Sequence, residues 1–247
     1  MEKERDATLD FIKVLATSLI VCHHFQQTMG VRFTYINFFG GRFYFGYLVE
    51  LFFIISGICA ARWIQDILVN NKPFTEFMLK RASRLLPLTS VSVVVFSCMA
   101  IIYALIKHEW LLGRELDIFG IATACLGIQC GWATANPMIN NPIWYISVLQ
   151  LCYVVMYFAT WIANRLSVTP YFLYVGIIFA GMGIQTYGID LPFFNCEASR
   201  GYTAFFLGIV LSKFFERVNV QLAWKQMVAW LCFVGIILLI VAGYEKI

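Results

Sequence analysis

Four ionisable residues interrupt an apolar stretch near the start of the chain: Asp10, Lys13, His23 and His24, all within residues 8–29. An apolar segment of about 20 residues can cross a bilayer, and ionisable groups inside it usually face a protein interior or a wet cavity. Lys13 and His24 are eleven residues apart, so a helix places them on one face, about 16 Å apart along its axis. That face presents a cation near one membrane surface and a titratable base near the other. His23 points about 100° away from it, and simple interfacial anchoring of the histidines is the alternative interpretation.

A second stretch, LVELFFIISGICAARW at residues 48–63, carries an acid and two small residues. Glu50 stands at the predicted outer start of an apolar run, as either a functional acid or a solvated helix start. Ser56 and Gly57 follow within the run, where small residues let helices approach closely.

A third stretch, KRASRLLPL at residues 80–88, carries paired cations. Arg81 and Arg84 are three residues apart, so they share a helix face at the predicted inner mouth of the next span. Paired guanidiniums suit phosphate groups, although anchoring at the cytoplasmic surface explains them equally well. We expect Pro87 in the first helical turn, where its missing N–H costs little.

Two weaker signals lie further along the chain. Trp144 begins an apolar segment after a turn-rich loop, as expected for an aromatic residue at a membrane interface. Arg200 stands at the entrance of another apolar segment.

The composition indicates a membrane protein. Hydrophobic residues make up 61% of the 247 and charged residues 13%, whereas soluble domains carry about 25% charged residues. The net charge of +4 is too small to indicate nucleic-acid binding, and the eight cysteines form no CxxC pair, so we expect no metal site.

These patterns predict an all-α, polytopic transmembrane bundle with seven to eight membrane-embedded helical segments. Residues 118–129 are too short for a full crossing, and with the N-terminus cytoplasmic most Lys and Arg residues then lie on the cytoplasmic side. The predicted crossings are residues 9–29, 44–68, 85–106, 143–163, 171–188, 201–215 and 225–243.

Taken together, the stretches resemble the bacterial integral-membrane acyltransferase 3 family. LDFIKVLATSLIVCHHF resembles its first helix, VELFFIISG its second-helix signature, and RASRLLP its entry to the third helix. PIWYISVLQLCY and Arg200 with FFLG resemble later segments. The chain departs from many relatives in having Lys13 for Arg, and Leu149 and Gln150 where they have Glu. We expect one membrane-embedded acyltransferase domain over residues 1–247. Because the chain is shorter than most relatives, a domain shortened at its C-terminus is one interpretation.

The resemblance implies an acyltransferase, for groups other than amino-acyl groups, in the bacterial inner membrane. It would move an acyl group, commonly acetyl, from cytoplasmic acyl-CoA to a hydroxyl of an envelope polysaccharide or lipid-linked sugar. Acyl-CoA is the expected donor, in the form of acetyl-CoA that this resemblance implies, and no metal is required. Lys13, Arg81 and Arg84 would bind the polyanionic donor, and His24 would act as general base or transient acyl carrier. The supporting residues are expected to be Asp10, Glu50, Ser56, Trp144 and Arg200.

Two other functions fit the same residues. Intramembrane charges also occur in transporters and flippases, here for a lipid-linked sugar, although no inverted repeat is visible. The short chain and the missing Glu residues are also compatible with an inactive partner of a longer acyltransferase.

Overall fold

The computed structural model describes residues 7–32, 37–40, 45–111, 115–133 and 140–217. In these segments helices are the only secondary-structure elements of more than one residue. The predicted all-α class is confirmed. Short 3₁₀ turns precede the second and sixth helices, at Phe45–Tyr47 and Asn141–Ile143. The α-helices are α1 (Ala7–Met29), α2 (Leu48–Ala60), α3 (Trp63–Leu68), α4 (Phe74–Lys107), α5 (Ile118–Cys125), α6 (Trp144–Arg165), α7 (Pro170–Tyr187) and α8 (Cys196–Arg217).

Two boundaries differ from the expectation. The segment predicted over residues 44–68 is broken by a turn at residues 61–62, which separates α2 from α3. Helix α4 begins at Phe74, directly after Pro73, whose extended backbone ends the preceding loop. The placement of Pro87 in a first turn was therefore wrong, because this proline lies inside α4. The predicted crossing at residues 225–243 lies outside the described residues.

The chain divides into two compact units. The first comprises Met1–Phe52 and Lys213–Ile247, and the second comprises Phe53–Ser212. In the first unit, the buried Gln26 side chain on α1 holds the segment of residues 37–39. Its amide donates to the Asn37 side chain, and its oxygen accepts from the backbone N–H groups of Phe38 and Phe39.

Helix α6 forms the core of the second unit. Thr160 on α6 shares a hydrogen bond of 2.6 Å with the Tyr174 hydroxyl on α7, and both side chains are buried. The backbones of α2 and α8 touch at two glycines. A Cβ at Gly57 would overlap the Phe205 carbonyl, and one at Gly208 would overlap the Ile54 carbonyl. The predicted packing role of the small residues near Ser56 is therefore confirmed at Gly57.

Two of the described helices, α4 and α6, are long and apolar enough to cross a membrane. The count of seven to eight membrane-embedded segments stays a prediction. Helix α4 has 34 residues, or about 51 Å, against 22 in α6. The amide of Asn140, just before α6, donates to Ser92 Oγ at 2.9 Å, so α4 continues past the start of α6 by about 22 Å.

Helix α5 is a short element tied to its neighbours. It has eight residues, or about 12 Å, which is too short to cross a hydrocarbon core of about 30 Å. Gly127, at φ +63°, closes its C-terminal turn. Ser90 Oγ donates to the Cys125 carbonyl at 3.0 Å, and the Gln150 amide donates to the carbonyls of Leu126 and Gly127. These bonds satisfy the last carbonyls of α5, whose buried side is formed by Gly120, Thr123 and Ala124.

Candidate functional site

A cavity of about 550 Å³ lies in the second unit, between α2, α3, α4 and α6. Five of its lining residues are cations and one is an acid, so the formal charge of the wall is strongly positive. A volume in this range is typical of pockets that bind small molecules. Its lining residues are Cys59, Arg62, Trp63, Asp66, Lys72, Lys80, Arg81, Arg84, Leu85 and Tyr153.

The cavity brings together Arg81 and Arg84, as their spacing predicted, and adds cations that the motif did not include. Arg62, Lys72 and Lys80 line the same space. Lys80 is four residues before Arg84, a spacing that places both on one helix face, so this signal was present in the sequence. Arg62 directly precedes α3, and Lys72 lies in the loop that follows it. They reach the cavity because the chain turns between α2 and α3.

The two arginines of the motif have different environments. Arg81 is 6% exposed, and its guanidinium carbon lies 3.9 Å from the Trp63 ring centre and 3.6 Å from that of Phe77. Its Nη1 donates to the Phe77 carbonyl at 2.6 Å, while its buried Nε has no hydrogen-bond partner among the described residues. Arg84 is exposed in the cavity wall. Arg81 therefore supports the wall and its positive field, and Arg84 is free to turn toward a ligand.

The cavity lies beside the middle of α6. Trp63 packs edge-to-face on Tyr153 at 5.6 Å between ring centres, and Tyr153 is about 18 Å along the axis from Arg165, where α6 ends. Arg81 therefore lies near the level of the middle of α6, and Arg84 follows it on the same cavity wall. The placement of the pair at the inner mouth of a span stays a prediction.

A second group of expected residues meets where α2, α6 and α8 pack. Ser56 Oγ lies 2.9 Å from the Tyr145 hydroxyl. The Arg200 guanidinium carbon lies 4.6 Å from the Trp144 ring centre, a cation–π contact between the first turns of α8 and α6. Ser56, Trp144 and Arg200 thus each contact a helix neighbour, and these contacts connect α2, α6 and α8.

The expected catalytic histidine belongs to the first unit. His24 is half-buried, and its Nδ1 lies 3.0 Å from Gln27 Oε1. An amide oxygen accepts hydrogen bonds, so in the neutral ring Nδ1 carries the proton and Nε2 carries the lone pair. With Gln27 in this orientation, the neutral ring has the tautomer that a general base acting through Nε2 requires.

His23, by comparison, is buried and packs against neighbouring residues. It is 3% exposed, its Nδ1 lies 2.8 Å from the Phe38 carbonyl oxygen, and its ring packs edge-to-face on Phe39. The rotation of His23 away from the face of His24, expected from helix geometry, places it against residues 38–39.

Three other expected residues also lie in the first unit. Asp10 and Lys13 form an i,i+3 ion pair at 3.9 Å, with both side chains about a third exposed. Asp10 is thus placed to orient Lys13. Glu50 begins α2 with its Oε2 atom buried.

The two positions where many relatives carry Glu have packing roles here. Leu149 is 3% exposed, and Gln150 donates to the turn that ends α5. An ionised carboxylate at residue 150 would face those carbonyls without a proton to donate, so the amide suits this position.

The described part of the chain is helical, two of its helices are long and apolar enough to cross a membrane, and its cavity is lined mainly by cations. The chain belongs to the acyltransferase 3 family, because the model of that family's acyltransferase domain matches residues 6–246, essentially the whole chain. Family membership supports membrane acyl transfer as its general activity. Searches of curated proteins and of solved structures gave no match.

Proposed function

We propose that the protein transfers an acyl group, acetyl in the simplest case, from cytoplasmic acyl-CoA to a hydroxyl of a cell-envelope carbohydrate. The observation that carries this proposal is the cavity with five cations and one acid in its wall. Coenzyme A carries a pyrophosphate and a 3′-phosphate, and paired guanidiniums and ammonium groups suit such oxygens. The exposed Arg84 and Lys80 contact the phosphates. The buried Arg81 adds to the positive potential of the cavity wall without contacting them.

In the proposed reaction, the acceptor hydroxyl oxygen attacks the thioester carbonyl carbon. The C–O ester bond forms, the C–S bond breaks, and coenzyme A leaves as its thiol. His24 takes the hydroxyl proton at Nε2 and returns a proton to the leaving sulfur. A route in which His24 first accepts the acyl group and then passes it to the hydroxyl has the same balance. Lys13, oriented by Asp10, attracts the anionic donor.

The test is an acyl-transfer assay on the purified full chain in lipid vesicles, with radiolabelled acetyl-CoA and envelope glycan as acceptor. Mass spectrometry of the glycan identifies the product. We expect the wild type to transfer label and His24→Ala to lose at least about 100-fold, the lower range for a general base. Glycan transport without label transfer would instead identify a flippase. Activity that requires a longer acyltransferase would identify an inactive partner.

A further inference from the structure

A second cavity, of about 420 Å³, lies in the second unit where α6 ends beside the loop between α3 and α4. Its polar lining consists of the cations Lys72 and Arg165 with the amides Asn71 and Asn164, and none of its described lining residues is an acid. Neither amide side chain forms a hydrogen bond with a described residue. The cavity therefore offers two positive charges and two amide N–H₂ groups to a ligand.

The loop that forms this cavity is held in place. The Tyr157 hydroxyl on α6 donates to the Lys72 carbonyl at 2.8 Å. Asn71 has a positive φ of 44°, a conformation that asparagine tolerates better than most residues. Lys72 also pairs with Glu76 at 2.9 Å, but Glu76 is 62% exposed and does not line the cavity. The backbone of the loop is therefore held beside the end of α6 before any ligand binds.

Arg165 is the most available of these groups. It stands in the last turn of α6, its guanidinium carbon 5.2 Å from the Trp161 ring centre, and it forms no ion pair with a described residue. The carbonyls of Ala163 and Asn164, which would repel an anion, already accept bonds from Val168 and Ser167. At the end of α6, the Arg165 cation is therefore available to an anionic ligand, while these two carbonyl oxygens are already hydrogen-bonded.

The surroundings of the cavity are those of a membrane interface. Helix α6 is long and apolar enough to cross a membrane, so Arg165 marks one surface. Trp161 is 45% exposed, and the apolar side chains of Leu166 and Val69 nearby in the chain are 63% and 69% exposed. Aromatic residues are enriched at this level, and basic pockets between helices on the cytoplasmic side bind anionic lipid head groups.

We propose that this second cavity binds the phosphate-bearing head group of an anionic membrane phospholipid. Lys72 and Arg165 contact the phosphate, the two amides donate to its oxygens, and the exposed apolar residues lie along the acyl chains. This site adjoins the proposed donor cavity, because Lys72 lies in the walls of both cavities. A zwitterionic phospholipid binds less well, because its choline cation meets two like charges.

The test is native mass spectrometry of the full chain in a neutral detergent, titrated with phosphatidylglycerol or with phosphatidylcholine. Arg165 is exposed, so Arg165→Gln leaves the fold intact. We expect it to raise the apparent Kd for phosphatidylglycerol roughly tenfold, the effect of one charge-assisted contact. Lys107→Gln, at the far end of α4, is the matched control and should leave this Kd unchanged.

Three results would overturn the proposal. The first is an unchanged Kd for phosphatidylglycerol in Arg165→Gln. The second is displacement of the lipid by glycerol 3-phosphate at equal concentration, which would identify a site for a soluble phosphate. The third is a rise in the KM for acyl-CoA in Arg165→Gln, which would make the cavity part of the donor site.

Discussion

At the scale of single residues, the paired arginines of α4 have two different roles. Arg81 is stacked between two rings and hydrogen-bonded to the Phe77 carbonyl, whereas Arg84 is an exposed part of the cavity wall. A buried guanidinium stabilises packing through its stem and plane as well as its charge. The motif thus joins a positioning cation to a ligand-binding one.

Substitution should separate these tasks. We expect Arg84→Gln to raise the KM for acyl-CoA about tenfold or more, since a charge-assisted contact contributes about 1.5–3 kcal/mol, with an unchanged melting temperature. Arg81→Gln should lower the melting temperature, because it removes a buried stacked group. Steady-state kinetics and thermal unfolding in detergent measure both. Equal melting temperatures in the two variants would contradict the division.

The neighbouring histidines offer a second comparison. His23→Ala removes a buried ring and leaves the Phe38 carbonyl without its partner, so we expect a loss of about 1–3 kcal/mol in the free energy of unfolding. His24→Ala should leave unfolding nearly unchanged, because its ring is only half-buried and its partner Gln27 is exposed. Thermal unfolding of both variants is the measurement. The reverse order of stability would show that His24 is the anchor.

At the scale of helices, the crossing of α2 and α8 depends on backbone contact. Gly57→Ala would place a methyl group on the Phe205 carbonyl, and overpacking of this kind costs about 1–3 kcal/mol. Gly176→Ala on α7 is the control, since nothing lies within 4 Å of its added Cβ. We expect a lower melting temperature for Gly57→Ala alone. A similar melting temperature for both would mean that α2 and α8 can move apart at no cost.

Helix α5 tests the topology. Because it has eight residues and its end is bonded to α4 and α6, we expect no crossing between α4 and α6. An impermeant thiol reagent applied outside intact cells should then label Lys107→Cys and Asn140→Cys above the parent protein. Labelling at one position alone would place an extra crossing between them.

At the scale of the whole molecule, the basic cavity should select reagents by charge. Cys59 is exposed and lines it, so an anionic methanethiosulfonate should modify it faster than a cationic one, by about tenfold or more. Acyl-CoA should protect Cys59 from modification, and Cys59→Ser should remove the modification at this site. Faster modification of Cys59 by the cationic reagent would contradict a positive cavity.

Burial raises the pKa of the Cys130 thiol to about 12, so Cys130 should stay unreactive toward both reagents up to pH 9.

The helical class and the family followed from the sequence because they depend on apolar length and local spacing. Arg81 and Arg84 were predicted as a pair for the same reason. The burial of Arg81 was not, because it depends on Trp63, which reaches it only through the break after α2. The role of Gln150 was also hidden, since its partners are backbone carbonyls 23 and 24 residues away in the chain. Periodicity describes one helix, and these contacts join several.

From the unequal lengths of α4 and α6 we expect the protein to be sensitive to bilayer thickness. The hydrogen bond from Asn140 to Ser92 fixes the start of α6 part-way along α4, and α4 is longer than a hydrocarbon core of about 30 Å. A bilayer that covers α6 leaves apolar side chains of upright α4 in water, unless α4 tilts or the lipid thickens locally. Each response costs a fraction of a kcal/mol per ångström of hydrophobic mismatch. We therefore expect the acyl-chain length of the host membrane to influence the tilt of α4 and the local thickness of the lipid around these two helices.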